Sequence, residues 1–113
     1  MNAQARLRYY KASPQKVRLV ADTVRGQGVP RALAILRLTK KRCARDLEKL
    51  VRSAVANLEQ KLPGIDSGKL VLSTIYVDHG PRLKRFRAAS MGRVFPVLHK
   101  FCHVTVEVAE RVE

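Results

Sequence analysis

The chain has 113 residues, with 23 Lys or Arg against 9 Asp or Glu, so its formal net charge is +14 and its pI is about 10.8. This length predicts one domain, residues 1–113, with one modest core, and the hydrophobic fraction of 46% argues against wholesale disorder. The charge far exceeds what solubility requires and indicates a polyanionic partner, most often nucleic acid. An anionic membrane surface is the alternative, disfavoured because no segment pairs a long apolar face with a wholly basic one.

The two cysteines, Cys43 and Cys102, are far apart in sequence and fit no CxxC spacing. A disulfide scaffold is therefore not expected. The first residues lack an apolar signal core, and no apolar run approaches the length of a membrane span. We expect a cytoplasmic protein with reduced thiols and no cofactor.

The N-terminal third predicts a strand and then a helix. Residues Ala3 to Lys11 alternate, with Leu7 and Tyr9 on one face, which is typical of an edge strand. Ser13 is a good N-cap, and the proline after it suits the first helical position. Apolar residues then follow at helical spacing, which predicts a helix over residues 14–25.

Two further helices are predicted before the chain becomes extended. Pro30 begins a short second helix, and Thr39 is a candidate cap for a third, the longest. The third helix carries a stripe formed by Leu47, Leu50, Val51, Ala54, Val55 and Leu58. The stretch PGIDSG, which begins at Pro63, predicts a loop.

The remaining residues predict a hairpin with unusually long arms. Residues Leu70 to Asp78 and Cys102 to Glu110 alternate as strands, and the hairpin between them spans about residues 79–101. Pro96 removes a ladder donor, so we expect an edge position or a bulge there. The predicted fold class is α+β: three helices packed on a small three-stranded antiparallel sheet, with a long protruding β-hairpin.

Positive charge clusters in three places without interleaved acids: the first twenty residues, the start of the third helix and the hairpin. A solvated face would normally alternate the two signs, so this pattern favours phosphate partners. Aromatic residues among the cations can stack on unpaired RNA bases. For each of them, core packing or strand covering is the preferred interpretation, with Tyr9 predicted in the core; the four are Tyr9, Tyr10, Phe86 and Phe101.

Catalytic and metal-binding interpretations are weaker. His99, Cys102 and His103 form an H-x-x-C-H pattern, but Cys102 and His103 are adjacent on a strand and point to opposite faces. Asp78 and His79 suggest half of a catalytic pair, as in a nuclease, yet no nucleophile or carboxylate cluster accompanies them. The sequence therefore predicts neither a metal site nor an enzyme.

Five stretches together resemble the family of bacterial large-subunit ribosomal protein L-twenty-two. They are SPQKVRLVADTVRG from Ser13, SAVANLE from Ser53, VDHGPRLKR from Val77, the pair Gly92-Arg93, and HVTVEV from His103. They occur in the family's order and at its spacing, and they span nearly the whole chain. The first and last stretches together are fairly specific, whereas any one alone is weak.

The resemblance implies a structural component of the ribosome that binds large-subunit ribosomal RNA, aids subunit assembly and lines the polypeptide exit tunnel with its hairpin. The implied partners are that RNA, neighbouring ribosomal proteins including L-four near the tunnel constriction, and the nascent polypeptide, with no homo-oligomer. Macrolide antibiotics bind close to the hairpin tip in this family. A free-standing basic RNA-binding protein or RNA chaperone is the alternative.

The residues expected to bind RNA are the cations and polar residues of the matched segments and basic clusters. They are Arg6, Arg8, Lys11, Ser13, Lys16, Arg18, Arg25, Lys40, Lys41, Arg42, Arg82, Lys84, Arg85, Arg87, Arg93, His99, Lys100 and His103. The tip expected to line the tunnel is Ala88, Ala89, Ser90, Met91 and Gly92. Here the tip departs from the family, which usually has Pro-Arg-Ala where this chain has Ala88-Ala89-Ser90, and Gln15 stands where the family often has Arg.

Overall fold

The structure is a computed structural model that describes residues 2–88, 92 and 94–110, with the side chains of residues 67, 85–88 and 94–99 outside that description. Three helices and a three-stranded antiparallel sheet form an α+β fold, as predicted. In chain order the elements are β1 (Asn2–Tyr10), α1 (Pro14–Val24), α2 (Val29–Leu38), α3 (Arg42–Lys61), a 3-10 turn (Ser67–Lys69), β2 (Leu70–Ala88) and β3 (Val94–Glu110). The sheet order is β1-β3-β2.

The predicted helices are confirmed, but one predicted cap is wrong. Ser13 occupies the N-cap position of α1, although its side chain makes no capping hydrogen bond. Thr39 does not cap α3, which begins after Lys41. Instead, the Thr39 hydroxyl donates to the Ile35 carbonyl at 2.7 Å and lies at the C-terminal end of α2. A threonine between two helices can hydrogen-bond to the backbone of either one. Here its hydroxyl bonds to the end of the preceding helix.

One hydrophobic cluster joins the inner faces of the three helices to the inner face of the sheet. The predicted stripe of α3 is buried except for Val55, which is partly buried, and Cys43 and Ala44 extend the stripe at its N-terminal end. From the sheet, Cys102, Val104, Val106 and Val108 are fully buried, as are Leu72 and several helix residues. No helix within the described part of the chain is both long and apolar enough to cross a membrane.

A β-bulge in β1 overturns the prediction that Tyr9 belongs to the core. Leu7 pairs with Val104 and Tyr10 with Cys102, so Arg8 and Tyr9 together oppose the single residue His103. The extra residue reverses the alternation. Tyr9, at φ +54°, is therefore 65% exposed on the solvent side of the sheet, whereas Tyr10 turns inward and packs against the core.

The hairpin extends well beyond the core, as predicted. Pairing of β2 with β3 continues to Ala88 opposite Val94. The molecule measures 64 × 25 × 18 Å, and its radius of gyration is 17.3 Å, against roughly 13 Å for a compact chain of this length. Opposite Pro96 the pairing with Phe86 is regular, and β1 ends at the level of Cys102. Pro96 thus lies where β3 has β2 as its one described neighbour, which is the expected edge position.

A further bulge, in β2, marks the base of the protruding hairpin. His79 pairs with Cys102 and Arg82 with Lys100, so Gly80 and Pro81 together oppose Phe101. A Cβ added to Gly80 would lie 2.9 Å from both the carbonyl carbon and the oxygen of Phe101. Glycine is required here because the two backbones approach more closely than any side chain permits.

Candidate nucleic-acid interface

The N-terminal cations and those of α3 form one concave surface. Lys11 and Lys16, at the start of α1, lie beside Lys41 and Arg42, at the start of α3, around a cleft of about 560 Å³ that Ser13 also lines. We call this surface the helix-start cleft. In the sequence these cations lie in two clusters about thirty residues apart. In the fold the start of α1 lies beside the start of α3, which brings the two clusters together.

No acidic side chain lines the helix-start cleft, and the carboxylate beside it, Asp46, accepts a hydrogen bond from the Tyr10 hydroxyl. Neither α1 nor α3 has an acidic residue in its first turn or a side-chain cap at its N-terminus. The nearby carboxylate of Glu48 is already paired with Arg52 at 2.8 Å and with Arg37 at 3.6 Å. The positive ends of two helix dipoles therefore add to the four cations, an arrangement that favours an anion.

A neighbouring depression continues this charge. It has a volume of about 510 Å³ and shares Lys41 and Arg42 with the helix-start cleft. Lys40, one of the residues expected to bind RNA, lines it, and so do Arg37 and Arg45, which were not among those residues. Their sequence positions could have indicated this, because each lies three residues from the basic cluster Lys40–Arg42, one on either side.

A second concave surface lies on the solvent side of the sheet. It is a depression of about 310 Å³ lined by Arg6, Arg8, Tyr9, Tyr76, Asp78, His103 and Thr105. We call it the sheet-face depression. Arg6, Arg8 and His103 were predicted for RNA binding. Tyr76, Asp78 and Thr105 were not among the residues predicted for RNA binding, because only strand register shows that they face the same side.

Two of the predicted arginines are engaged within the protein. Arg18 donates from Nε and Nη2 to the Val77 carbonyl at 3.2 and 2.8 Å. Arg25 donates similarly to the Ile75 carbonyl at 3.3 and 2.9 Å, and its Nη1 bonds Asp22 at 2.5 Å. These guanidinium groups cover the free edge of β2, which shields its carbonyls from pairing with another strand.

The remaining predicted residues lie along the hairpin. The exposed side chains of Arg82, Lys84 and Lys100 follow the bulge at Gly80. Arg85, Arg87, Ala88 and His99 are placed in the strands by their backbones only. Gly92 has φ +72°, which suits glycine at a reversal. The tip residues Ala89, Ser90 and Met91, and the predicted RNA-binding residue Arg93, lie outside the described residues.

Half-buried polar groups beside the helix-start cleft bond to each other within the protein. The Tyr10 hydroxyl donates to Asp46 Oδ2, which ties β1 to α3 beside the helix-start cleft. Burial, together with that hydrogen bond, raises the pKa of Tyr10. Burial likewise raises the pKa of the free thiols of Cys43 and Cys102. Cys102 lies on the core side of β3 and His103 on the other, so the two point apart as predicted.

Taken together, the fold and its surfaces define a small, strongly basic α+β protein with a protruding hairpin. A family model for ribosomal protein L22p/L17e matches residues 5–109. A protein of Solibacter usitatus (strain Ellin6076) named large ribosomal subunit protein uL22 is 41% identical over 111 residues, covering 98% of each chain. One of the same name from Anaeromyxobacter sp. (strain Fw109-5) is 49% identical over 104 residues, covering 92% of this chain and 72% of the relative.

The chain therefore belongs to the ribosomal protein L22p/L17e family. It is a structural constituent of the large ribosomal subunit and acts in translation, and it is not an enzyme. Its location is the ribosome, in the cytoplasm.

Proposed function

We propose that this protein binds large-subunit ribosomal RNA through its basic surfaces and thereby aids subunit assembly. The observation that carries the proposal is the helix-start cleft, where Lys11, Lys16, Lys41 and Arg42 converge without an acidic partner among the described residues. In an isolated protein such a cluster repels itself. Beside RNA the same charges neutralise phosphates and release counterions.

The salt dependence of binding tests the cleft. We expect the affinity for large-subunit ribosomal RNA to fall steeply with salt, by about 0.7–0.9 log units per log unit of salt for each phosphate neutralised. The double substitution Lys16→Ala and Arg42→Ala should reduce the slope by roughly one to two units. The matched control is Arg31→Ala with Lys69→Ala, two exposed cations outside the cleft. Equal slopes for the two variants would exclude the cleft from the interface.

The hairpin is the second part of the proposal. We propose that its arms run between RNA segments, line the polypeptide exit tunnel and approach the neighbouring protein L-four and the nascent chain near the tip. Support comes from its position: the described core residues end at Val77 on β2 and begin at Cys102 on β3, and the pairing of the two strands continues beyond them to Ala88 opposite Val94. Exposed Arg82 and Lys100 at the base suit phosphate contacts.

A photo-crosslinking amino acid at position 82 tests the path of the hairpin. In assembled large subunits we expect crosslinks to ribosomal RNA, because the side chain of Arg82 is exposed at the base of the arms. Crosslinks to protein alone would contradict the proposal. Co-sedimentation with large subunits in high salt separates this function from that of a free-standing RNA chaperone, which would dissociate under those conditions.

A further inference from the structure

Tyr9 lies on the open face of the sheet and makes two contacts with His103. Its backbone N–H donates to His103 Nδ1 at 3.0 Å, and its ring meets the His103 ring edge-on, with centroids 4.9 Å apart at 87°. The side chain nevertheless remains 65% exposed. An edge-on contact leaves at least one face of the phenol ring open, so the bulge presents a preorganised aromatic platform to solvent.

The positive φ at this position strengthens the argument. Among the described residues, Tyr9 alone of the non-glycine residues has φ in the left-handed region, at +54°. Such a conformation is costly for a bulky side chain and persists where the surroundings determine it, often at binding sites. Here the surroundings are His103, which accepts the amide, and the register of β1 on both sides of the bulge.

Charge is graded across the sheet-face depression. Arg6 and Arg8 lie on β1, on the same side as Tyr9, whereas Asp78 lies across the sheet on β2. A phosphate is attracted to the β1 side and repelled from the β2 side. A ligand that carries a phosphate next to a flat ring fits this gradient with its phosphate over the arginines and its ring on Tyr9.

We propose that the sheet-face depression binds one unpaired RNA base, stacked on Tyr9, together with the adjacent phosphate on Arg6 and Arg8. This inference rests on the proposed RNA-binding function and names a site within it. Paired bases in an RNA helix are not free to stack on a side chain, so the ligand is a nucleotide from a loop, bulge or single strand. Stacking of this kind tolerates every base, because each has a flat face.

The test uses two hexaribonucleotides with identical phosphates. One carries a single adenine at its third position and abasic ribose elsewhere, and the other is fully abasic. We expect the unchanged protein to bind the adenine-bearing hexamer at least about fivefold more tightly, the lower end of what stacking one base contributes. Since the chain has no tryptophan, quenching of tyrosine fluorescence by the adenine gives a second readout.

Variants then assign the effect to Tyr9. Tyr9→Leu should abolish the preference for the adenine-bearing hexamer and leave the salt slope of both unchanged, whereas Tyr9→Phe should retain the preference. Leu19→Ala, at an exposed apolar position of α1, is the control and should behave like the unchanged protein. Thermal unfolding of each variant shows whether it is folded, and the two-hexamer comparison with the unchanged protein needs no variant.

Each outcome decides between the two proposals. Equal affinity for both hexamers, with steep salt dependence, overturns the base site and leaves the RNA-binding surfaces standing. A preference that survives Tyr9→Leu also overturns the assignment. Failure to bind either hexamer or large-subunit RNA at low salt would overturn the proposed function, and the base site with it.

Discussion

Arg18 and Arg25 show that a cation in a basic protein can have a structural role. Both were expected to contact RNA, yet each guanidinium group donates two hydrogen bonds to a carbonyl of β2. Arg18 lies in α1 and Arg25 directly follows its last residue, so a spacing of seven residues brings them to two carbonyls on the same side of the strand. Helical spacing alone cannot reveal this role, because it depends on where α1 crosses the edge of β2.

The first prediction concerns Arg18. Arg18→Ala should lower the free energy of unfolding by about 1 kcal/mol, at the low end for charge-assisted hydrogen bonds because the side chain is partly exposed. Arg18→Lys should recover little of the loss, since an ammonium cannot make the same forked contact. Urea denaturation measures both. The control, Arg31→Ala, should change stability by less than about 0.5 kcal/mol, and equal losses at the two positions would contradict the structural role.

The second prediction concerns the phenol of Tyr10. Because folding raises its pKa above the ordinary value of 10.0, the folded state holds this proton more tightly than the unfolded state does. Its contribution to stability is therefore complete below about pH 10 and is lost as the pH rises above that value. Tyr10→Phe should cost about 1 kcal/mol at pH 8 through the lost bond to Asp46.

The difference in free energy of unfolding between the unchanged protein and Tyr10→Phe should shrink at higher pH. Urea unfolding at pH 8 and pH 11 checks this, with both buried thiols present in each protein so that their titration cancels. Asp46→Asn, which keeps an acceptor but removes the charge, should lie between the two. Curves that stay parallel from pH 8 to pH 11 would show that the Tyr10 phenol does not couple to folding.

At the level of elements, Gly80 controls the junction between the core sheet and the protruding arms. The third prediction is that Gly80→Ala destabilises the protein by about 1–3 kcal/mol, because the new methyl group would overlap the Phe101 backbone. Gly28→Ala is the matched control, since its added Cβ would meet its nearest atom only at 3.9 Å. Thermal unfolding compares the two, and similar melting temperatures would mean that the bulge relaxes without cost.

Elements with strong periodicity were predictable, and their exceptions have local causes. The stripe of α3 and the alternation from Cys102 to Val108 placed the core nearly residue by residue. Tyr9 was wrongly predicted to be in the core because a bulge reverses the alternation of faces along β1. No proline or glycine in that stretch indicates the bulge. Thr39 was assigned to the wrong helix because a threonine between two helices suits either end.

The candidate site was predictable in its residue types but not in its grouping. Uncompensated cations are visible in the sequence, whereas the meeting of Lys16 with Arg42 depends on how α1 and α3 pack. The sheet-face depression depends on register across three strands, which brings Arg6, Thr105 and Tyr76 into one row. Such grouping follows from tertiary contacts that no local pattern encodes.

For the whole molecule, we expect the core to fold without the distal hairpin. The fourth prediction replaces Leu83 to Pro96 with a short Asn-Gly turn. Two of the described side chains in that segment, Leu83 and Lys84, are exposed, and its sequence is rich in cations and small residues, so we expect the free energy of unfolding to change by no more than about 1–2 kcal/mol. The shortened protein should still enter large subunits through its globular surfaces. Thermal unfolding and subunit sedimentation measure the two effects, and loss of folding would mean that the arms contribute to the core.

The sheet order has a consequence for when this protein can fold. β1 and β2 do not pair with each other, and each is joined to the sheet through β3, the last strand in sequence order. During synthesis β1 and β2 therefore cannot join the sheet until β3 has been made. Contacts of high sequence separation also form slowly. We expect a chain ending at Lys100, which lacks four fully buried strand residues, to remain unfolded by circular dichroism, whereas we expect the hairpin-shortened protein to fold. Nearly the whole chain must therefore be synthesised before the native sheet can form.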